Sequence, residues 1–174
     1  MSLSCEKVNN VQSPLDGIRI ARISTVPFFV ATQLKKQIES LLKRGAIVTV
    51  VTSSGAEINL LRSMQGVEII VLDIPRGVSL GRNFLALLRM WRLFKKKNFD
   101  ITHTTTPMAG LLTSIAAFVA GVPIRLHTFT GQPWVNLHGI KGWFAKTGDK
   151  VIGRLNTHCY GNSNSEMDFL VKKH

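Results

Sequence analysis

Two polar clusters close apolar runs in this 174-residue sequence. His103, Thr104, Thr105 and Thr106 end the first, and His127, Thr128 and Thr130, followed by Gly131 and Gln132, end the second. Threonine hydroxyls and imidazole rings offer neutral hydrogen bonds in both directions. Neither cluster has the spacing of a nucleophile with its base. No Asp, Glu or Cys completes a ligand set beside them, so a metal is not expected. The chemistry that fits is the holding of a hydroxyl-rich or phosphorylated ligand, although threonine runs also reflect simple strand preference. His103 and His127 each admit two readings, a satisfied structural group or a catalytic candidate.

Several familiar chemistries are excluded. The turn after the first apolar run reads STVPFFVAT and lacks GxGxxG, so a backbone cradle for a pyrophosphate is not built there. There is no GxxxxGK[ST]. GVSLG (77–81) matches the hydrolase pattern GxSxG, but Pro75 and Arg76 separate it from the preceding strand, whereas a nucleophile elbow needs a sharp strand-to-helix turn. An ordinary loop is expected at Ser79.

The elements that must position these residues follow from periodicity. IRIARIST (18–25), AIVTVVTSS (46–54), VEIIVLDI (67–74), DITHTT (100–105), PIRLHTF (123–129) and THCYGNS (157–163) read as strands. Helical patterns lie between them. FFVATQLKKQIESLLKRG carries Leu34, Ile38, Leu41 and Leu42 on one stripe and ends in a cationic turn and Gly45. AEINLLRSM is a short helix; longer ones span about 81–98, 108–120 and 139–155. Alternating short strands and helices predict a Rossmann-like α/β fold, a parallel sheet of about six or seven strands with helices on both faces. Ligands of such sheets bind outside the carboxyl ends of the strands. That rule gathers Thr25, His103, Thr105, Thr106, Thr130, Gly131 and Gln132 on one rim.

Charge and aromatic content bear on partners. The chain has 22 Lys and Arg against 10 Asp and Glu, a net charge of +12, which favours an anionic partner: nucleic acid, acidic lipid or a phosphorylated small molecule. In the helix from 81, Phe84, Leu87, Leu88, Trp91 and Phe94 form the stripe expected to cover the sheet. Arg82, Arg89, Arg92 and Lys96 fall opposite, with Leu85 and Leu93 among them. That face reads as a solvated basic surface or as one resting on an anionic bilayer. Trp134 and Trp143 beside lysines extend the membrane reading, and also suit stacking on nucleic acid. No apolar stretch is long enough to span a bilayer, and no signal peptide is visible. Two cysteines, Cys5 and Cys159, without CxxC fit a reduced, cytoplasmic compartment. Residues 1–17 read as a flexible tail. Ser163 and Glu166 have capping-box spacing, so a helix is expected to open there, and its early stop suggests a domain cut from a longer protein.

The order of IPRGVSLGRNFLALLRMWRLFKKKNFDITHTTTPMAGLL, AGVPIRLHTFTGQPW and YGNSNSEMDFL resembles the N-terminal domain of family-4 glycosyltransferases with the GT-B architecture, particularly those of bacterial capsule and lipopolysaccharide assembly. The match covers about residues 18–174. The resemblance implies an acceptor-binding domain of a retaining transferase, with a nucleotide-sugar donor held mainly by a second, C-terminal domain absent from this sequence. The acceptor would be lipid-linked or a growing polysaccharide, and the place of action the inner face of the cytoplasmic membrane. In the mechanism commonly given for that family the donor phosphate accepts the acceptor's proton, so hydroxyls and neutral imidazoles suffice at this rim. The isolated domain would be inactive and carry no cofactor of its own. Two departures stand out: Val26–Pro27 occupies the place of a glycine pair, and Thr105 and Thr130 stand where relatives often have His. The alternative is a non-enzymatic basic α/β module, either the acceptor-side subunit of a split transferase or a nucleic-acid binder.

Overall fold

The structure is a computed structural model and describes residues 13–131, 137, 139–161 and 163. Six parallel strands form one sheet: β1 (Arg19–Ser24), β2 (Ile47–Thr52), β3 (Val67–Val71), β4 (Ile101–Thr104), β5 (Ile124–Phe129) and β6 (His158–Gly161). Their order across the sheet is β3-β2-β1-β4-β5-β6. The chain starts at the centre, winds outward to β3, then crosses back to β4 and winds the other way. All carboxyl ends of the strands therefore lie along one edge, and the reversal between β1 and β4 opens a crevice there.

The helices follow the chemistry of their ends. α1 (Pro27–Phe29) runs through a π-helical turn (Val30–Leu34) into α2 (Lys35–Lys43), with Pro27 in the first turn, where its missing N–H costs nothing. Gly45, at a φ of +84°, supplies the left-handed residue after α2. α3 (Ile58–Arg62) is short. α4 (Leu80–Lys97) ends on Asn98 in the left-handed region, and α5 (Pro107–Ala120) opens on Pro107 and stops at Gly121. α6 (Gly139–Leu155) is the last described helix.

Strand alternation sorts the core into two layers. Ala21, Ile23 and Val51 pack with Ala86, Met90 and Phe94 of α4 and with Ala109, Leu112, Ala116 and Ala117 of α5. Phe129 and Ile152 of α6 continue this layer over β5 and β6. On the opposite face Ile20, Val48 and Val50 pack beneath Val30, Leu34, Ile38, Ile58 and Leu61. That second layer covers β1 to β3. Over β5 and β6 no described helix lies on this face, and Ile124 and Tyr160 are exposed there.

Three sequence expectations shift. Phe84, expected on the covering stripe of α4, is 67% exposed, while Ala86 and Met90 are buried in its place. Leu93, expected among the membrane-facing charges, instead packs against the core. The stripe is rotated because α4 must touch both the sheet and α5. Of the expected tail, residues 13–17 form a turn tied to the end of α2: the Ser13 hydroxyl donates to the Arg44 carbonyl, and the Gly17 N–H bonds the Gly45 carbonyl at 3.1 Å.

Candidate functional site

The rim of β1, β4 and β5 is knitted by threonines. The Thr25 N–H and Thr25 hydroxyl both donate to Thr106 Oγ1, at 3.1 and 3.2 Å. Thr106 is the residue before Pro107 at the start of α5, and its extended backbone turns the side chain away from its own helix and towards β1. The Thr130 hydroxyl donates to the Thr105 carbonyl at 3.0 Å, which ties the end of β5 to the end of β4. The Thr105 hydroxyl is buried and has no hydrogen-bond partner among the described residues. A buried, unpaired hydroxyl is costly unless a ligand or water meets it. Gly131 follows at a φ of +109°, a conformation suited to glycine.

Strand register sends the two histidines to opposite faces. His103 pairs across to Arg22 in β1 and Leu126 in β5, while His127 lies opposite Thr104. His103 Nε2 and Thr128 Oγ1 are 2.9 Å apart on the sheet face that no described helix covers over β5 and β6. Burial first, then the nearby Arg22 charge and His127, push its pKa down to about 3, so the ring is neutral at physiological pH. His127 turns the other way, into the α5–α6 layer. It is 1% exposed, its Nδ1 lies 2.6 Å from Thr104 Oγ1, and burial lowers its pKa to about 4. Its ring meets Phe129 edge-on at 4.6 Å. Gly110 makes room for it: a Cβ at that position would lie 2.4 Å from His127 Cε1. His127 is thus a satisfied core histidine beneath the rim, and His103 is the imidazole beside it.

The structure therefore brings Thr25, Thr105, Thr106, Thr130 and Gly131 together at one edge, with His103 one residue inside the end of β4. Gln132 and Trp134 lie outside the described residues, as does the helix expected from Glu166. Ser79 has ordinary extended backbone at the head of α4, without the strain of an elbow.

Apolar and aromatic side chains and Arg82 flank the same edge, because α4 and α6 both begin there, while Arg92 and Lys96 lie towards the far end of α4. Arg89, Arg92 and Lys96 are exposed, and Arg82 is paired with Asp73 at 3.2 Å. Leu80, Phe84, Leu85, Trp143 and Phe144 are exposed too; Trp143, at 64%, stacks edge-on with Phe144 at 5.1 Å. Among the described residues no helix is long and apolar enough to cross a membrane.

One buried group escaped sequence reasoning. Arg22, in the middle of β1, is 1% exposed, and its Nε and one terminal nitrogen have no partner among the described residues. Burial lowers its pKa to about 10. The run RIARIS reads as an alternating half-buried strand, which puts a charge outside by default; only the packing of the helix after β1 reveals that it is enclosed.

Known proteins resemble this chain in sequence or in fold. Residues 30–174 match a family model described as a glycosyl transferase 4-like domain. The capsular polysaccharide biosynthesis glycosyltransferase CapM of Staphylococcus aureus is 34% identical over 110 residues, covering 63% of this chain and 27% of that protein. The UDP-Gal:alpha-D-GlcNAc-diphosphoundecaprenol alpha-1,3-galactosyltransferase of Escherichia coli is 41% identical over 61 residues, 35% of this chain and 16% of that protein. The chain thus aligns with about a quarter or less of the length of these curated relatives. Among solved structures, MurG of Acinetobacter baumannii superposes with a TM-score of 0.53 at 17% identity, over 83% of this chain and 41% of that one. A UDP-N-acetylglucosamine 2-epimerase reaches 0.66 at 13% identity, over 92% and 44%. These two likenesses speak to the fold.

Proposed function

The chain belongs to the glycosyl transferase 4-like family, and from that premise we propose that it is the acceptor-binding, N-terminal half of a retaining glycosyltransferase. The complete enzyme moves a sugar from a nucleotide-sugar donor to a lipid-linked or polysaccharide acceptor. The activity of the Escherichia coli relative, on a diphosphoundecaprenol-linked sugar, supports a lipid-linked acceptor. The observation that carries the reading is the convergence of Thr25, Thr105, Thr106 and Thr130 on the carboxyl edge of a parallel sheet, with no carboxylate among them. Such a rim orients hydroxyls without removing their protons. That suits a reaction in which the donor phosphate takes the acceptor's proton as the new glycosidic bond forms and the bond to the diphosphate breaks on the same face. Each neutral hydrogen bond contributes about 1 kcal/mol net, so several must act together to hold a sugar. His103, neutral and bonded to Thr128, is the imidazole nearest this rim.

The test is transfer by the complete polypeptide from labelled UDP-galactose, UDP-N-acetylglucosamine and GDP-mannose to a GlcNAc-diphospholipid. Thr106→Val and His103→Ala are expected to lower transfer by about tenfold each with the circular dichroism spectrum unchanged. Unchanged transfer in either variant removes that residue from the site.

A second feature supports work at a membrane surface on the cytoplasmic side. Leu80, Phe84, Leu85, Trp143 and Phe144 are exposed near Arg82 at the end of the molecule where the cleft opens, and Arg89, Arg92 and Lys96 continue the basic face along α4 away from it. A cleft placed there receives a lipid-linked acceptor from the bilayer. The competing assignment of this basic surface, to nucleic acid, requires affinity that collapses steeply with salt on DNA or RNA, whereas binding to a neutral sugar changes little.

A further inference from the structure

We propose that Arg22 is an electrostatic positioning residue of this transfer site: its buried charge, uncompensated by any described carboxylate, favours the negative charge that builds on the departing diphosphate. The inference rests on the glycosyl-transfer reading above and adds to it the one charge that the neutral rim otherwise lacks.

Its place in the fold comes first. Arg22 lies on β1, beside Val50 of β2 and His103 of β4, two residues short of the end of the strand. Two residues of extended chain are about 7 Å. Its side chain projects to the face covered by the π-helical turn and α2, where Ile20, Val30, Leu34 and Val50 form an apolar roof. The reversal of winding between β1 and β4 lies at the carboxyl end of the strand that carries Arg22 and of the neighbouring β4.

The second observation is the lack of a counter-charge. Two ion pairs, Arg82 with Asp73 and Lys97 with Glu68, lie on the surface and do not involve Arg22. Among the described residues Arg22 has neither a carboxylate nor an acceptor for Nε and Nη1. A guanidinium in that position destabilises the folded chain, since burial removes the hydration of Nε and Nη1 and no described group replaces it. The Arg22 charge also acts on a neighbouring titratable group. Arg22 is one of the causes, after burial, that depress His103; His127 is the third. Thr128 and Tyr160 also face the His103 ring, from β5 and β6. A cation that disfavours positive charge on its neighbour favours negative charge in the same region. In a cleft about to receive a leaving diphosphate, an oriented charge fixed before the reaction needs no reorganisation as the sugar–oxygen bond breaks. At an effective dielectric constant of about 20, a unit charge about 10 Å away changes a rate by about tenfold. Arg22 touches neither substrate in this scheme; it acts through the field.

The experiment compares Arg22→Met and Arg22→Lys with the wild type in the complete polypeptide, using UDP-galactose, UDP-N-acetylglucosamine and GDP-mannose with a GlcNAc-diphospholipid. Arg22→Met is expected to lower kcat about tenfold with KM for the acceptor nearly unchanged, and Arg22→Lys to restore most of it. Two further readouts separate this role from a structural one. Arg22→Met should be at least as resistant to urea as the wild type, because an unpaired buried charge has been replaced by a thioether of similar length. Histidine-labelled NMR should show His103 titrating at higher pH in Arg22→Met than in the wild type. An active wild type with unchanged kcat in Arg22→Met overturns the inference and leaves the proposed function standing. Lower kcat accompanied by loss of stability and an unmoved His103 titration also overturns it, since Arg22 is then structural. A wild type that transfers none of these sugars overturns the function and, with it, this role for Arg22.

Discussion

His103 and His127 show what a residue's type reveals and what it hides. Both rings were legible as the notable polar groups of their strands. Their separation was not, because it depends on the register between β4 and β5: Thr104, not His103, stands opposite His127, and that one-residue relation sends the rings to opposite faces. Both are held neutral by burial, which has a consequence for stability. Their folded pKa values, about 3 and about 4, lie below the ordinary 6.5, so in this window the unfolded chain binds more protons than the folded one. Stability is therefore full above about pH 6.5 and is lost as pH falls through the window towards the folded values, at about 1.4 kcal/mol per pH unit for each histidine. Urea unfolding between about pH 7.5 and about pH 5 is expected to show this loss, roughly 2 kcal/mol per histidine. His127→Gln, which keeps an acceptor for Thr104 and does not titrate, should remove about half of the slope. A slope identical to that of the wild type would mean that His127 already carries a proton in the folded state. Arg22 was illegible for a related reason: strand alternation gives the face of a residue, but only the neighbouring helix decides whether that face is closed.

At the scale of elements, all six strands and the helices between them follow from the sequence, because the punctuation is chemical: Gly45, Asn98 and Gly121 end helices in the left-handed region, and Pro27 and Pro107 begin them. Helix orientation follows less well. α4 is apolar over more than half its circumference, so periodicity alone does not choose between the stripe through Phe84 and Leu88 and the stripe through Ala86, Met90 and Phe94. Packing against α5 selects the second, with small Ala86 at the close approach. The same closeness explains Gly110 in α5. A methyl group there meets the His127 ring at 2.4 Å, and the ring is confined by Phe129 and Ile152, so it has no free direction in which to yield. Gly110→Ala usually favours a helix by about 1 kcal/mol. Here overpacking of about 1–3 kcal/mol outweighs it. The expected result is a lower melting temperature for Gly110→Ala, with recovery in the double variant Gly110→Ala, His127→Ser, where the ring is gone. Equal melting temperatures for Gly110→Ala and the wild type would show that α5 shifts outward at no cost.

For the whole molecule, the order β3-β2-β1-β4-β5-β6 does more than close a core: it places the starts of α4, α5 and α6 at the same edge as the threonine rim. The exposed apolar groups at the starts of α4 and α6 then share an end with the cleft, with Arg82 among them and the basic face of α4 running on from there. On the proposed membrane reading, such a surface would attract anionic lipid through its charges and hold it through shallow insertion of Phe84, Leu85 and Trp143. Each basic group near a charged bilayer contributes about 1 kcal/mol, so a few give weak attachment that depends on lipid charge and on salt. Co-sedimentation with vesicles containing phosphatidylglycerol is therefore expected to exceed that with phosphatidylcholine alone by at least about tenfold, and to fall away at about 1 M salt, where the Debye length is only about 3 Å. Phe84→Ser combined with Trp143→Ser should reduce the bound fraction on anionic vesicles without altering its salt sensitivity, because insertion and attraction are separate contributions. Arg89→Gln with Arg92→Gln should do the reverse, weakening the preference for anionic lipid. Equal binding to neutral and anionic vesicles would break the link between the basic helix and the bilayer. Loss of binding only in the arginine variants, with the aromatic pair silent, would confine the contact to charge and leave Phe84 and Trp143 free for another partner at the mouth of the cleft.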